Sequence, residues 1–369
     1  MSFHRFYNFN LLKIGRLHIY FSKKELSFEW IDMAKVRKWI LNSNLRRTKM
    51  EKLKIFEMFA GYGGASFSLK KLGVDFECVG VREIDKDAMR CYTQNHKGYH
   101  FGDCTKINPE ELKDFDLLTG GFPCQSFSMA GKGLGELDTR GTLFNEIIRI
   151  AEVKQPKYML LENVKGLTTA KHAGTLQKIL DELHRIGYKV FMKVLNSKDY
   201  GMPQSRQRVF FVCFNLSYFD IVPNYKFPEK QELDLFFSEI LDDLPFREIP
   251  QFQFRNYGDK RRIDMLKSVT DKCFHTLTTN RSHQNQYLLN EDRTMCRLFE
   301  KQEVFRLMGF KDGEINLEGI SHNQAHKLAG NGWDINLVSK IFKQMFALHE
   351  NNGVVSGDEK WVKWNLNMK

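Results

Sequence analysis

The stretch Leu53-Lys54-Ile55-Phe56-Glu57-Met58-Phe59-Ala60-Gly61-Tyr62-Gly63-Gly64, continued by Ala65 to Gly73, decides the fold. A short apolar run leads into a glycine-rich turn and then into a segment whose Phe67, Leu69 and Leu72 suit one face of a helix. Apolar segment, glycine turn and helix open a βαβ unit. The outline repeats outward through FECVGVREID (76–85), DAMRCYTQNH (87–96), DFDLLTGG (114–121), NEIIRIAEV (145–153), KYMLLENV (157–164), GTLQKILDELHRIG (174–187), YKVFMKVL (188–195) and RVFFVCF (208–214). Short β-rich runs alternating with helical patterns predict an α/β fold, a Rossmann-like, mostly parallel sheet covered on both faces. Such sheets bind ligands at the carboxyl ends of their strands.

Alternation stops near Asn215. The following segment, to about Asp271, holds four of the eight prolines (223, 228, 245, 250) and reads as a smaller, irregular domain. Helical patterns return in EKQEVFRLMGF (300–310) and INLVSKIFKQMFALHE (335–350).

At 369 residues with 42% hydrophobic and 27% charged composition, the chain is neither disordered nor collagen-like, and its seven cysteines are too few and scattered for a disulfide scaffold. No apolar run reaches the roughly 18 residues of a membrane-spanning helix, so no membrane association is expected. The cysteines (78, 91, 104, 124, 213, 273, 296) form no CxxC or Cys/His cluster, which argues for a reducing, cytoplasmic setting and against a metal. Net charge is +11. Residues 1–54 contain thirteen Lys/Arg and four Asp/Glu, a net of +9, so the basic balance permits a nucleic-acid partner but sits almost wholly on an N-terminal extension.

Four constellations carry candidate chemistry. Gly61 and Gly63, in the first turn, let backbone approach a ligand closely; alone this fits a phosphate site or a plain turn, and the absence of Gly-Lys-Ser/Thr argues against a nucleoside triphosphate. Glu83 stands where an acidic side chain commonly takes ribose hydroxyls, and Asp103 ends the next unit, placed for an adenine edge. Together these imply a nucleoside cofactor. Cys124, in Gly120-Gly121-Phe122-Pro123-Cys124-Gln125, sits on a rigid turn where its sulfur is free to face a ligand, and a glycine-rich polar segment follows. The other six cysteines read as ordinary buried residues. Glu162, directly after KYMLL, is a carboxylate in an apolar setting, expected to have a raised pKa and to exchange a proton with a bound base. Arg206 and Arg208, alternate residues before VFFV, present two guanidiniums to one side.

In this order and at these intervals, FAGYGG, EIDKDA, GDC, GGFPCQSFS, LLENVKGL, QSRQR and AGNGW resemble the cytosine-C5 DNA methyltransferase family over about residues 53 to 214 and 274 to 346. The resemblance implies S-adenosylmethionine as cofactor, lined by Phe59, Gly61, Gly63, Glu83, Ile84, Asp103, Phe122, Pro123 and Asn331. It implies Cys124 as the nucleophile adding to C6 of a flipped-out cytosine, Glu162 acting at N3, Arg208 on the base, and Arg206 and Gln204 supporting the pocket. Gln125, Ser126, Gln204 and Thr276 would face DNA, the segment 126–143 closing over the base. Within the variable segment, Arg255, Lys260, Arg261 and Arg262 are expected to face the duplex, with the acidic stretch Asp220 to Asp243 facing away.

The implied organisation is a basic extension (1–52), a catalytic and cofactor-binding domain (53–214), a target-recognition domain (215–310), a return to the catalytic domain (311–348) and a tail (349–369). Because MEKLKIFEMFAGYGG looks like a complete family N-terminus, residues 1–49 read as an added arm or the product of an upstream start. Two departures stand out. Arg297 and Glu303 remain of the family's RxLTPRE pattern without its Thr-Pro, and Trp333 replaces a small aliphatic residue, so the cofactor's edge is expected to be packed differently. The partner expected is double-stranded DNA, methylated by a monomer, with a cognate restriction endonuclease acting separately or an orphan or phage role. The alternatives are a tRNA methyltransferase of the same family and an inactive DNA-binding regulator.

Overall fold

The computed structural model describes residues 52–123, 143–219, 221–248, 266–279 and 287–351. The N-terminal extension, Cys124, Gln125, Ser126 and the glycine-rich segment after them, Arg255, Lys260, Arg261, Arg262 and the tail from 352 lie outside the described residues.

The alternating pattern becomes β1 (Leu53–Met58), α1 (Gly64–Lys71), β2 (Phe76–Arg82), α2 (Lys86–Asn95), β3 (Leu117–Gly121), α3 (Leu143–Lys154), β4 (Tyr158–Val164), α4 (Ala173–Arg185), β5 (Tyr188–Asn196), the two-residue β6 (Gln204–Ser205) and β7 (Gln207–Asn215). The six-stranded sheet runs β2-β1-β3-β4-β7-β5. Its first four strands are parallel, and β7 is antiparallel to both β4 and β5. This is the mostly parallel α/β sheet the pattern predicts. From β1 the chain builds outward to β2 and then crosses back to β3 on the other side of β1, so a crevice opens at the carboxyl end of β1.

The two-residue period of buried strands divides the core. On β4, Met159 and Leu161 pack with Ile147 and Ile150 of α3 and Ile179 and Leu183 of α4. Tyr158 and Leu160 face the opposite layer, with Ala65 and Leu69 of α1. The chain returns from the C-terminal side to complete that layer with α7 (Ile335–Asn351), whose Leu337, Val338, Ile341 and Phe342 are buried. Each such side chain contributes roughly 1.5–3 kcal/mol on burial, which is why a helix beginning at Ile335 is held in one layer with α1, β4 and β7.

The remaining described elements are β8 (Arg247–Glu248), β9 (Lys267–Ser268), β10 (Phe274–His275), β11 (Tyr287–Leu289), β12 (Met295–Leu298), α5 (Lys301–Arg306) and α6 (His322–Asn331). A small sheet runs β8-β12-β11-β9, while β10 pairs with β6. The helical pattern of 300–310 yields only six helical residues, because Gly309 turns the chain at φ +90°. Helix α6 was not foreseen, although its signal is present: Ser321 and Gln324 form a capping box, with N–H···O contacts of 3.3 and 2.7 Å. The Arg297–Glu303 pair survives without Thr-Pro. It is buried and bidentate at 2.7 and 2.8 Å, and the carboxylate also accepts the N–H groups of Asp242 and Glu300. Both carboxylate oxygens are therefore satisfied, while on the arginine the buried Nε has no partner. Among the described residues no helix is long and apolar enough to cross a membrane, and no group of three or more His, Cys, Asp or Glu is placed to hold a metal.

Candidate active site

The turn after β1 is strained and tied down. Phe59 has φ +55°, sparsely populated for a residue with a side chain. Its ring carries the Arg82 guanidinium at 4.7 Å. At Gly63, φ is +90° and a Cβ would meet the His96 ring at 2.5 Å, so only glycine lets α1 begin here. Beneath the turn lies a buried polar cluster that the sequence did not reveal: Glu57 accepts hydrogen bonds from Ser66 and from the Tyr92 hydroxyl, and burial pushes its carboxyl pKa up.

Three loops meet at this end of the sheet. The Glu83 carboxylate accepts the N–H groups of Gly61, Ile84 and Asp85, each at 2.8 Å. Residues 99–101 pair with Val81 (2.8 and 2.9 Å), carrying Asp103 alongside. Asp103 accepts the N–H and hydroxyl of Thr105, which hold its carboxyl below the usual range. A Cβ on Gly61 would meet nothing within 4 Å, and Ile84 is 69% exposed, so the loops border open space. Asn331 is exposed at the end of α6, while Phe122 is buried against Phe144 and Phe211. The Phe122 carbonyl accepts from Asn163 at 2.9 Å, which anchors the backbone two residues before Cys124.

Register assembles the acid and the arginine. Glu162 pairs with Gly121 on β3 and with Phe210 on β7, and Arg208 lies two residues along β7 on the same face. Arg208 Nε reaches Glu162 Oε1 at 2.9 Å. Burial pushes the Glu162 carboxyl pKa up, opposed by Arg208, Arg206 and a hydrogen bond from the Trp333 indole. Trp333 thus occupies the sheet side of the site against Gly64, Gly121 and Glu162, and the altered packing expected at the cofactor's edge is a contact to the acid.

Two expectations need correction. Arg206, expected to present its guanidinium beside that of Arg208 as one of the catalytic residues, is 2% exposed and donates to backbone instead: Leu277 O at 3.0 Å, Gly330 O at 3.0 Å and Gly332 O at 2.7 Å. Burial pulls its pKa down, and the carbonyls compensate the charge. It joins β7 to the turns holding Thr276 and Trp333. Gln204, expected at DNA, is fully buried, its amide bridging Leu307 O (2.8 Å) and Leu277 N–H (3.1 Å). Thr276 is half-buried, its hydroxyl on Ser205 O at 2.6 Å. Arg206→Ala strands three buried carbonyls and is expected to cost about 3–5 kcal/mol, read as a lower urea midpoint.

Asp334 was also missed. Fully buried, it caps α7 through the N–H groups of Asn336 (2.9 Å) and Leu337 (3.1 Å), and burial raises its pKa from 3.8 to about 6. The folded value exceeds the unfolded one, so this group's stabilising contribution is complete below pH 3.8 and is lost as pH rises to about 6. Asp334→Asn keeps the capping oxygen. It is expected to be more stable than the parent at pH 8 by about 2–3 kcal/mol, the gap closing below pH 4 in denaturation curves.

The thiols separate cleanly. Burial pushes up all six described cysteines, Cys78 and Cys91 to about 12, so none is a ready thiolate near neutrality.

Residues 53–270 match the family described as C-5 cytosine-specific DNA methylase. The chain is 35% identical over 334 residues to the Type II methyltransferase M.NgoBI of Neisseria gonorrhoeae, covering 84% of this chain and 98% of that one. It is 36% identical over 256 residues to the orphan methyltransferase M.SPRI of Bacillus phage SPR, covering 66% of this chain and 54% of that one. Among solved structures, DNMT2 of Spodoptera frugiperda superposes with a TM-score of 0.64 at 20% identity, over 80% of this chain and all of that one, a likeness of fold.

Proposed function

The chain belongs to the C-5 cytosine-specific DNA methylase family, and from that membership we propose that it methylates C5 of a flipped-out cytosine in a specific short site of duplex DNA, using Cys124, Glu162 and Arg208. The observation that carries the residue assignment is the buried Glu162 carboxyl, held at a strand end by Arg208 at 2.9 Å and raised in pKa by burial.

The chemistry requires such a set. Cytosine C5 is a weak nucleophile, so the Cys124 thiolate first adds at C6, while Glu162 delivers a proton to N3 and neutralises the charge pushed onto the ring. Arg208 holds Glu162 and meets the polar edge of the base. C5 is then nucleophilic enough to accept a methyl group. Loss of the C5 proton to solvent, expulsion of the Cys124 thiolate and return of the N3 proton to Glu162 restore the aromatic ring and the starting state of the acid. Because C6 is inaccessible in a stacked duplex, the base must leave the helix.

The cofactor in this reading is S-adenosylmethionine, which supplies a methyl group on a positively charged sulfur. The loops at the ends of β1 and β2 fit it: Gly61 borders open space, Glu83 keeps a lone pair on Oε2 for a ribose hydroxyl, Ile84 is an exposed apolar wall, and Asp103 is a half-buried acceptor for an amino group. Phe59, Gly63, Phe122, Pro123 and Asn331 complete the lining.

Residues 215–310 serve target recognition, with Arg255, Arg261 and Arg262 toward the duplex. The enzyme acts as a monomer in the cytoplasm, either protecting DNA from a separate cognate endonuclease or as an orphan modification enzyme; Type II and phage orphan relatives support both settings. Bisulfite sequencing of DNA from cells expressing the chain is expected to show one fully methylated short motif. Unmodified DNA, together with methyl transfer to tRNA in a parallel assay, would overturn the DNA assignment.

A further inference from the structure

The two oxygens of Glu162 have different neighbours. Oε1 is held by Arg208 Nε at 2.9 Å. Trp333 Nε1 and Glu162 Oε2 both border the vacant side of Gly121, where a Cβ would be 3.0 Å from the first and 3.3 Å from the second, and the indole favours the ionised carboxylate against the effect of burial. The absence of a side chain at Gly121 is what leaves room for both groups. The indole itself is fixed from several directions. Trp333 is 8% exposed and packs in the layer of α1 and α7, its carbonyl accepts the Tyr62 hydroxyl, and the preceding Gly332 carbonyl accepts Arg206 at 2.7 Å.

We propose that Trp333 is a positioning residue for methyl transfer: its indole N–H, acting opposite Arg208, sets the plane of the Glu162 carboxyl and thereby the edge the acid presents to the base. This rests on the reading that Glu162 acts on the cytosine ring. One donor leaves a carboxyl free to rotate about its last bond, whereas donors on both oxygens define its plane. The donor also favours the ionised carboxylate, so removing it makes the acid hold its proton to higher pH. Trp333 thereby couples the C-terminal return of the chain, through Arg206 and Tyr62, to the acid at the end of β4.

The test uses the full-length protein and the duplex site defined by bisulfite sequencing, with single-turnover methyl transfer measured across pH. Trp333→Phe keeps an apolar ring and removes the N–H. The expected result is a rate reduced about tenfold, the worth of one hydrogen bond to a charged group, with binding of S-adenosylmethionine and of DNA unchanged. The pH above which the rate declines is expected to move upward. In a Glu162→Gln background the same substitution should have no further effect, because its action passes through the acid.

A benzothienylalanine at position 333, which keeps the indole's shape and replaces N–H by sulfur, repeats the test if the phenylalanine variant folds poorly. An unmoved pH profile, an undiminished effect in the Glu162→Gln background, or weaker cofactor binding at an unchanged rate would overturn the proposal. Full activity in Glu162→Gln alone would instead overturn the role of Glu162 itself.

Discussion

Cys124→Ala is expected to abolish methyl transfer, with a loss on the order of 10⁴-fold or more, because removing a covalent nucleophile leaves only binding and orientation. No other thiol is placed to substitute. The six described cysteines are all pushed upward by burial, so their thiolate forms are scarce near neutral pH. A hydroxyl is no replacement either, since it ionises far above any working pH, and Cys124→Ser is expected to be equally inactive. A duplex carrying 5-fluorocytosine at the target traps the adduct, because fluorine cannot leave as a proton does. The parent protein should form a denaturant-resistant complex with this duplex, and Cys124→Ala should not. Methylation at full rate by Cys124→Ser would end the covalent mechanism.

Glu162→Gln is expected to lower the single-turnover rate by about 10²–10³-fold, within the usual range for a general acid. Glutamine keeps the size of the side chain and an oxygen for Arg208, so protein stability and DNA affinity should hold while proton delivery is lost. Since burial raises the acid's pKa, the parent's rate is expected to fall as pH rises through that value, and the variant should lack this limb. A variant with parent-like rate and profile would assign the proton at N3 to another donor.

Much of this site is legible in the sequence. The glycine turn, Glu83 and Glu162 stand directly after apolar runs of the right length, where the carboxyl ends of parallel strands converge at one edge, and Arg208 begins the antiparallel β7, whose start lies at that same edge. Asn163 shows the limit of that reading. It lies in the same Glu-Asn-Val triplet, yet only the structure revealed that its amide anchors the Phe122 carbonyl ahead of Cys124. Helix α6 was missed although its capping box is plain in Ser321 and Gln324, because its apolar residues are too few to mark a face.

What the sequence determined by itself is the order of the elements, the alternating face of each strand residue and the family to which the motifs belong. These follow from short-range periodicity, the two-residue repeat of a strand and the 3.6-residue repeat of a helix. What only the tertiary structure decided is how equivalent-looking residues divide their work. Arg206 and Arg208 stand two residues apart in one motif, but Arg206 donates to carbonyls up to 126 positions away while Arg208 holds the acid. Trp333, an unexplained departure in the sequence, reaches Glu162 because α7 packs its buried face across the sheet beside α1. The physical reason is that a periodic pattern states which face of an element is apolar, whereas the partner of a buried polar group depends on where the returning chain docks.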